Sequence, residues 1–243
     1  MSSGDAWEQF TEIARSSDEK LDVARAALLI ATTEYPRLDI EGELGVLDSL
    51  AAGASRRFGE DRSPLAALDT LSEYLFDEVG FRGNTEDYYD PRNSYLNDVL
   101  SRRLGIPITL SLVYIEVGKR LGIPILGIGM PGHFLARHQG LDDLFIDPFN
   151  SGVLLSETEC AARLNEVAQS QVEWDPGYLA PISHREFIAR MLGNLKAVHL
   201  GRKDYVRGLT MIDWTMTIQP DTTDELRDRG LAHYELGQYA ETL

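Results

Sequence analysis

A histidine and an aspartate lie in two neighbouring stretches, each with the alternation of apolar and polar residues that is typical of β-strands. His133 is in the first stretch, Asp147 is in the second, and a short polar segment around Gly140 separates them. A hairpin turn centred on Gly140 places His133 opposite Asp147, and Arg137 opposite Asp143. Because directly opposed Cβ atoms are ~4.5–5.5 Å apart, the carboxylate could accept a hydrogen bond from the imidazole and orient it. The pattern therefore predicts two of the three groups of a catalytic triad.

The same pair has a structural interpretation, in which the two side chains satisfy each other at the edge of a core. A shift of one residue in strand register would turn His133 to the other face of the sheet. The flanking residues favour the functional interpretation. Pro131 and Gly132 allow close backbone approach just before His133, and Pro148 ends the second strand directly after Asp147.

The composition limits the classes of partner and cofactor. Of 243 residues, 43% are hydrophobic, which is ordinary for a globular protein. The 39 acidic and 23 basic residues leave a net charge of −16, which repels nucleic acid and anionic lipid surfaces. The sequence contains neither a glycine-rich phosphate loop nor a His-Glu-x-x-His motif. We therefore expect no cofactor, no metal and no nucleic-acid partner.

The sequence also favours a cytoplasmic location. No apolar run reaches the ~20 residues of a membrane-spanning helix, and the first five residues lack the basic and apolar regions of a signal peptide. Cys160 is the only cysteine, which excludes an internal disulfide and fits a reducing compartment. We expect no association with a membrane.

Periodic apolar residues predict helices on both sides of the hairpin. A helix that begins with proline has a buried leucine stripe from Leu65 and stops at Gly80. A strongly apolar helix is predicted over residues 109–121. A further helix follows the capping box that begins at Ser156, and it turns Cys160 towards the core.

The C-terminal part of the chain contains a repeat. After a predicted linker at 169–181, Tyr205 and Leu209 recur as Tyr239 and Leu243, a period of 34 residues. This period is typical of tetratricopeptide repeats, whose helix pairs stack to bury their apolar faces. We therefore expect antiparallel helix pairs without strands beyond the linker, and a chain that ends inside a repeat.

Several motifs resemble those of the SirB family of bacterial proteins, which have a transglutaminase-like core followed by tetratricopeptide-like repeats. The order of buried helix, Gly-Ile-Pro, strand, histidine strand and Asp-Pro strand is similar to the wider transglutaminase-like superfamily, whose papain-like fold carries a Cys-His-Asp triad. The motifs are YYDPRNSYLN at 88–97, RLGIPITLS at 103–111, PGHFL at 131–135 and IDPFN at 146–150. The resemblance extends from Thr85 to Leu243.

The resemblance implies that His133 is the triad histidine and Asp147 the triad aspartate. In catalytic members the cysteine stands at the start of the helix that leads to Gly-Ile-Pro, and the matching positions near Pro107 have no thiol. Thr109 and Ser111 are the nearest hydroxyls, and a hydroxyl gains less than a thiol from a helix N-terminus and a neighbouring imidazolium. We expect Thr109 to cap its helix.

Other residues of the motifs are candidates for binding. Asn93 could donate to a carbonyl or an oxyanion, and it could equally cap a helix. Tyr89 and Gly132 are the other two binding candidates because they lie in the family motifs. Cys160 is expected to behave as a small buried hydrophobe.

We therefore predict an α+β protein. It would have a helical N-terminal region at 1–82, a transglutaminase-like core of helix and antiparallel sheet at 83–170, and a linker with tetratricopeptide-like helix pairs at 171–243.

Three functions are compatible with this organisation. The leading hypothesis is a degenerate, non-catalytic protein that binds a peptide or protein partner in the old active-site cleft. The alternative is a hydrolase or amide-transfer enzyme in which Thr109 or Ser111 attacks, His133 is the base and Asp147 orients it. The third is that the pair is structural and only the repeats act. The sequence leaves open whether any catalysis is retained, which partner is bound, and the oligomeric state.

Overall fold

The computed structural model describes residues 3–167, 172–220 and 222–241. In chain order its helices are α1 (Ser3–Arg15), α2 (Val23–Ala31), α3 (Ile40–Ser55), α4 (Pro64–Ser72), α5 (Leu96–Arg102), α6 (Pro107–Arg120), α7 (Glu157–Val167), α8 (His184–Gly201), α9 (Tyr205–Ile218) and α10 (Thr223–Glu235). Its strands are β1 (Arg82–Gly83), β2 (Leu104–Gly105), β3 (Ile125–Ile128), β4 (Leu135–His138), β5 (Phe145–Asp147) and β6 (Val153–Leu155).

Residue contacts divide the chain into two compact units. The helical unit comprises Met1–Ile40, Tyr89–Tyr95 and Ser183–Leu243, and the sheet unit comprises Glu41–Tyr88 and Leu96–Ile182. These units cut across the ranges predicted from the sequence, because segments distant along the chain pack into one body. The division at 1–82, 83–170 and 171–243 stays a prediction.

The sheet unit is built on four antiparallel strands in the order β3-β4-β5-β6, and β1 pairs in parallel with β2. This mixture of helices with an antiparallel sheet confirms the predicted α+β class. Apolar side chains of the sheet and of α7 form one buried cluster that includes Ile128, Met130, Leu135, Phe145, Leu155, Cys160 and Leu164. This cluster holds β4 and β5 against α7.

The hairpin register differs from the predicted one. Ala136 pairs with Ile146, which brings Arg137 opposite Phe145 rather than opposite Asp143. The Arg137 guanidinium carbon lies 6.0 Å from the centre of the Phe145 ring, consistent with this register.

The wider turn between the strands explains the shift. His138 is buried at the end of β4, and its Nδ1 accepts a hydrogen bond of 2.9 Å from the backbone N–H of Gly140. Leu141 N–H in turn donates to the carbonyl of His138 at 3.0 Å. Six residues, 139–144, separate β4 from β5, so the turn is not centred on Gly140.

Two helices depart slightly from the predicted bounds. The helix predicted over 109–121 begins at Pro107, where proline is favourable because the first helical residue needs no N–H donor. In α4 the stripe of Leu68 and Leu71 is buried, whereas Leu65, predicted in the same stripe, is 47% exposed. The chain continues from α4 through one π-helical segment and stops at Gly80, whose φ of +86° favours glycine.

Part of the predicted linker packs against the sheet. Residues 169–171 lie outside the described residues, but Val172, Trp174 and Tyr178 contact the apolar cluster of the sheet unit. Pro181 forms a bridge to Ile128 of β3. The polar and loop-forming residues of this segment predicted a linker, so the packing of Val172, Trp174 and Tyr178 was not expected.

In the helical unit, α8, α9 and α10 follow one another with short connections, and α9 packs on both neighbours. Between Ser183 and residue 241 the described residues contain no strand, which confirms the predicted helical repeat. Tyr205 begins α9, and Tyr239, its equivalent one period later, begins a short 3-10 turn. Leu243, the other predicted partner of the repeat, lies outside the described residues.

Candidate functional site

His133 lies in a tight turn between β3 and β4. Gly132 has a φ of +70°, a left-handed conformation that glycine adopts without strain, and His133 N–H donates to the carbonyl of Met130 at 3.2 Å. The His133 side chain is 4% exposed. The turn therefore fixes the backbone of the histidine before the strand begins.

Asp147 ends β5 and begins the turn formed by residues 148–150. Its Oδ1 accepts hydrogen bonds from the backbone N–H groups of Phe149 and Asn150, at 3.2 and 3.3 Å. Its Oδ2 accepts a bond of 2.8 Å from the side-chain amide of Asn150. An aspartate followed by proline supports such a turn because its carboxylate satisfies the N–H groups that the turn leaves without backbone partners. Asp147 itself is completely buried.

The structure brings the two predicted residues together. His133 Nε2 lies 2.9 Å from Asp147 Oδ2, a close contact between a buried imidazole and a buried carboxylate. The contact does not arise from direct opposition, because His133 precedes β4 by two residues. In the observed register Leu135 would stand opposite Asp147, so the histidine reaches the carboxylate as a diagonal neighbour on the same face.

Arg163 of α7 places a positive charge near the Asp147 carboxylate. Its Nε lies 3.7 Å from Asp147 Oδ2, and its Nη1 contacts Glu166 at 3.0 Å. Burial alone raises the pKa of Asp147, but the imidazole of His133, the amide of Asn150 and the charge of Arg163 outweigh that effect. The pKa of Asp147 is therefore held below its ordinary value, and the carboxylate is ionised at neutral pH.

The two hydroxyl candidates lie on α6. Thr109 Oγ1 accepts from Ile106 N–H at 3.1 Å and lies 3.1 Å from the carbonyl of the same residue, so it caps the helix from within its first turn. Ser111 is completely buried, and its hydroxyl donates to the carbonyl of Phe134 at 3.5 Å. Ser111 therefore packs against the residue next to His133.

The thiol of Cys160 is in the apolar cluster of the sheet unit and is completely buried. Burial, followed by the nearby charge of Asp147, raises the pKa of Cys160 to about 12. Since a cysteine attacks as the thiolate, this raised pKa disfavours the nucleophilic form of the thiol at neutral pH. The structure agrees with the expectation that Cys160 is a small buried hydrophobe.

An aromatic series extends from His133 to the surface of the sheet unit. The ring of Phe149 stands edge-on to His133 with centres 6.1 Å apart, and Tyr88 stands edge-on to Phe149 at the same distance. Phe149 is half-buried and Tyr88 is exposed. Gly83 of β1 lies under Phe149, since a Cβ placed there would come within 2.6 Å of the ring. We name Tyr88, Phe149 and His133 the aromatic series.

Tyr89 and Asn93 belong to the helical unit. The Tyr89 side chain is 72% exposed, and its carbonyl accepts a bond of 3.1 Å from Arg202. Asn93 is completely buried at the end of a short 3-10 turn over Pro91–Asn93. Asp90 caps this turn, because its side chain accepts a hydrogen bond from Arg92 N–H. Helix α5 begins three residues after Asn93, so Asn93 does not cap it.

Sequence reasoning did not single out Asn150, Arg163 or Phe149 as members of the site. The Asp-Pro-Phe-Asn motif contains a signal for the first, because an aspartate three residues before an asparagine is typical of a side-chain-capped turn. No sequence signal points to Arg163, which reaches Asp147 from a separate helix. Within the described ranges, no group of three or more histidine, cysteine or acidic residues could hold a metal ion, and no helix is long and apolar enough to span a bilayer.

Comparisons with known proteins match most of the chain. The model of the transglutaminase-like superfamily matches residues 43–193, and a tetratricopeptide repeat model matches residues 195–243. A UPF0162 protein of Xylella fastidiosa (strain 9a5c) is 38% identical over 233 residues, which cover 94% of this chain and 83% of that protein. A UPF0162 protein of Vibrio cholerae is 29% identical over 220 residues, which cover 90% of this chain and 81% of that protein.

A further similarity, over a smaller part of the relative, is to a eukaryotic protein. F-box only protein 21 of Mus musculus is 30% identical over 204 residues, which cover 78% of this chain but 31% of that protein. No solved structure matches the chain. The motifs, the α+β core and the matched ranges agree, and the chain belongs to the transglutaminase-like superfamily, among the SirB-like UPF0162 proteins, with tetratricopeptide repeats at its C-terminal end.

Proposed function

We propose that this protein is a non-catalytic member of its superfamily that binds a peptide or protein segment beside His133. The observation that carries the proposal is the 2.9 Å contact of His133 with an ionised, buried Asp147 in a chain whose single thiol is buried in the apolar cluster of the sheet unit. We call His133 and Asp147 the polar pair. In this proposal the polar pair is retained and the nucleophile is lost, and binding of a peptide requires only the polar pair.

The described contacts of the two hydroxyls support loss of catalysis. An alcohol becomes a nucleophile when a base lies within hydrogen-bond reach and removes its proton. The hydroxyl of Thr109 is engaged with the backbone of Ile106, and Ser111 donates to a backbone carbonyl. Attack by either would first have to break these bonds in a buried environment.

The aromatic series supports binding of a peptide. Aromatic rings offer a large apolar area with little loss of side-chain entropy, and they are enriched where proteins bind peptides. Tyr88 is exposed and Phe149 half-buried, so the series leads from solvent to the polar pair. An apolar peptide side chain would pack on the rings, and its backbone would meet polar groups at the buried end.

A peptide array tests this function directly. Immobilised peptides of about 12 residues with varied sequences are incubated with the full chain, and the affinity of the best peptide is then measured by fluorescence anisotropy. We expect Phe149→Ala to lower the affinity for that peptide at least about tenfold, which corresponds to about 1.4 kcal/mol of binding free energy. Leu65→Ala is the matched control, since it removes an exposed apolar side chain of α4 in the same unit.

Two outcomes would contradict the proposal. One is an array in which no peptide is retained above the level of scrambled sequences. The other is a peptide whose affinity falls equally in Phe149→Ala and Leu65→Ala, because its binding site would then lie away from the aromatic series.

One observation favours the alternative enzyme. Ser111 lies on the buried helix beside the His133 turn, and its hydroxyl contacts the carbonyl of the next residue at 3.5 Å. The alternative requires this hydroxyl to turn from the carbonyl to the imidazole. In this alternative, turnover of acyl esters or amides would be lost in both Ser111→Ala and His133→Ala.

A further inference from the structure

The two outer rings of the aromatic series have nearly the spacing of alternate residues in an extended peptide. The ring centres of Tyr88 and Phe149 are 6.1 Å apart. Residues i and i+2 of a β-strand point to the same face and lie ~6.4–6.8 Å apart. Tyr88 is 39% exposed and Phe149 is half-buried, so a ligand can reach both rings. The pair therefore suits two alternate side chains of one extended segment.

Carboxylates lie beside the outer ring of the pair. Glu86 and Asp87 directly precede Tyr88, and all residues from 85 to 88 are exposed. The nearest basic residue on the same segment is Arg82 of β1. Gly83 faces the inner ring, and successive strand residues point to opposite faces, so the Arg82 side chain points away from that ring. The exposed end of the aromatic series is therefore acidic.

The charge of the whole sheet unit has the same sign. The unit contains 21 acidic and 10 basic residues, which give a net charge of −11 out of −16 for the chain. A field of this sign attracts cationic ligands and repels anionic ones. The electron-rich face of an exposed tyrosine also attracts a cation, most often that of an arginine. Ring and field therefore favour the same ligand charge.

We infer that the aromatic series binds an extended basic segment, with an apolar side chain on Phe149 and an arginine or lysine side chain two residues away on Tyr88. This inference rests on the proposed function, because it specifies the peptide that occupies the same series. The aliphatic stem of the basic side chain would pack on the tyrosine ring, and its charged head would lie near Glu86 and Asp87.

Two peptides of identical composition test the spacing. In the spaced isomer, Arg-Ala-Leu-Ala-Arg-amide, both arginines share a face with the leucine in either chain direction, whereas in the adjacent isomer, Ala-Arg-Leu-Arg-Ala-amide, they point to the opposite face. Each peptide carries fluorescein on an N-terminal Gly-Gly linker, and its Kd for the full chain is measured by anisotropy in about 150 mM NaCl. Because attraction to the unit as a whole is the same for both, we expect the spaced isomer to have a Kd at least about fivefold lower.

Two variants with the same change of charge test the position of the basic side chain. Glu86→Gln is expected to raise the Kd of the spaced isomer at least about threefold, because it removes a carboxylate beside the tyrosine ring. Glu60→Gln is the matched control, since Glu60 is an exposed carboxylate of the same unit in the loop between α3 and α4. We expect this control to leave the Kd unchanged.

Equal Kd values for the two isomers would overturn the inference, and so would equal effects of Glu86→Gln and Glu60→Gln. Binding of Glu-Ala-Leu-Ala-Glu-amide as tight as that of the spaced isomer would also overturn it. If any of these results appears while Phe149→Ala still weakens the peptide selected on the array, the proposed function stands and only the basic segment is refuted. If no peptide depends on Phe149, the proposed function itself fails.

Discussion

Replacement of Asp147 by asparagine is expected to destabilise the sheet unit by about 2–4 kcal/mol. The side chains have nearly the same shape, so the change mainly removes the charge and converts one acceptor into a donor. Oδ2 faces His133 Nε2 at 2.9 Å and the Asn150 amide at 2.8 Å, while Oδ1 accepts from two backbone N–H groups. Either orientation of the new amide therefore meets two donors.

The magnitude follows from these contacts. Loss of one partner from a buried ion pair costs ~3–5 kcal/mol. A neutral His133 can carry its proton on Nδ1 and accept from the new amide, which recovers about 1 kcal/mol. Asp143→Asn in the preceding turn is the control, since that carboxylate is exposed and its replacement should stay within about 0.5 kcal/mol.

The single buried thiol supplies the assay. In a guanidinium titration, a short pulse of a thiol reagent modifies Cys160 only in molecules whose sheet unit has unfolded. The labelled fraction therefore reports the free energy of the unfolding transition that exposes the core of the sheet unit. Equal midpoints and slopes for Asp147→Asn and Asp143→Asn would refute the interpretation of Asp147 as a buried, multiply bonded anion.

Three further predictions concern the sheet unit. Because the pKa of Asp147 is lowered by folding, its stabilising effect is present above the unfolded value of about 3.9 and is lost as the pH falls through the folded value. Guanidinium unfolding followed by circular dichroism below about pH 4 should show this loss in the wild type and not in Asp147→Asn; the same acid sensitivity in both would contradict it. Without denaturant, Cys160 should react at least about 100-fold more slowly than in the unfolded chain, and fast reaction that depends on His133 would revive a cysteine enzyme. Gly152→Ala should lower the melting temperature more than Gly80→Ala, because both have positive φ but only a Cβ at Gly152 meets a neighbour, 2.5 Å from Ser72 Oγ; equal shifts would count against this packing.

The sequence predicted the residues of the polar pair better than the geometry that joins them. Alternation and the Asp-Pro motif identified both partners, because these are local signals. The register depends on how His138 and Gly140 close the turn, and a side-chain acceptor within a turn has no simple pattern in sequence. The diagonal reach of His133 to Asp147 is therefore a consequence of tertiary geometry.

Helix positions were predictable where proline, glycine or a capping box marks an end. The proline that begins α4, the glycine that ends the following segment and the Ser156–Glu159 box all lie where the sequence places them. Residues joined only by packing were not predictable. Arg163 reaches Asp147 from another helix, and Trp7 meets Trp214 across most of the chain length, so neither contact leaves a local pattern.

The most direct test of the central claim is turnover of an activated acyl ester and an amide by the purified chain. We predict that the wild type and His133→Gln hydrolyse both substrates at the same background rate, because the proposed function requires no nucleophile beside the imidazole. The peptide selected on the array, whose binding is expected to depend on Phe149, should still bind the wild type in the same preparation. Turnover above background that disappears in both His133→Gln and Ser111→Ala would contradict the claim and establish a serine-dependent enzyme.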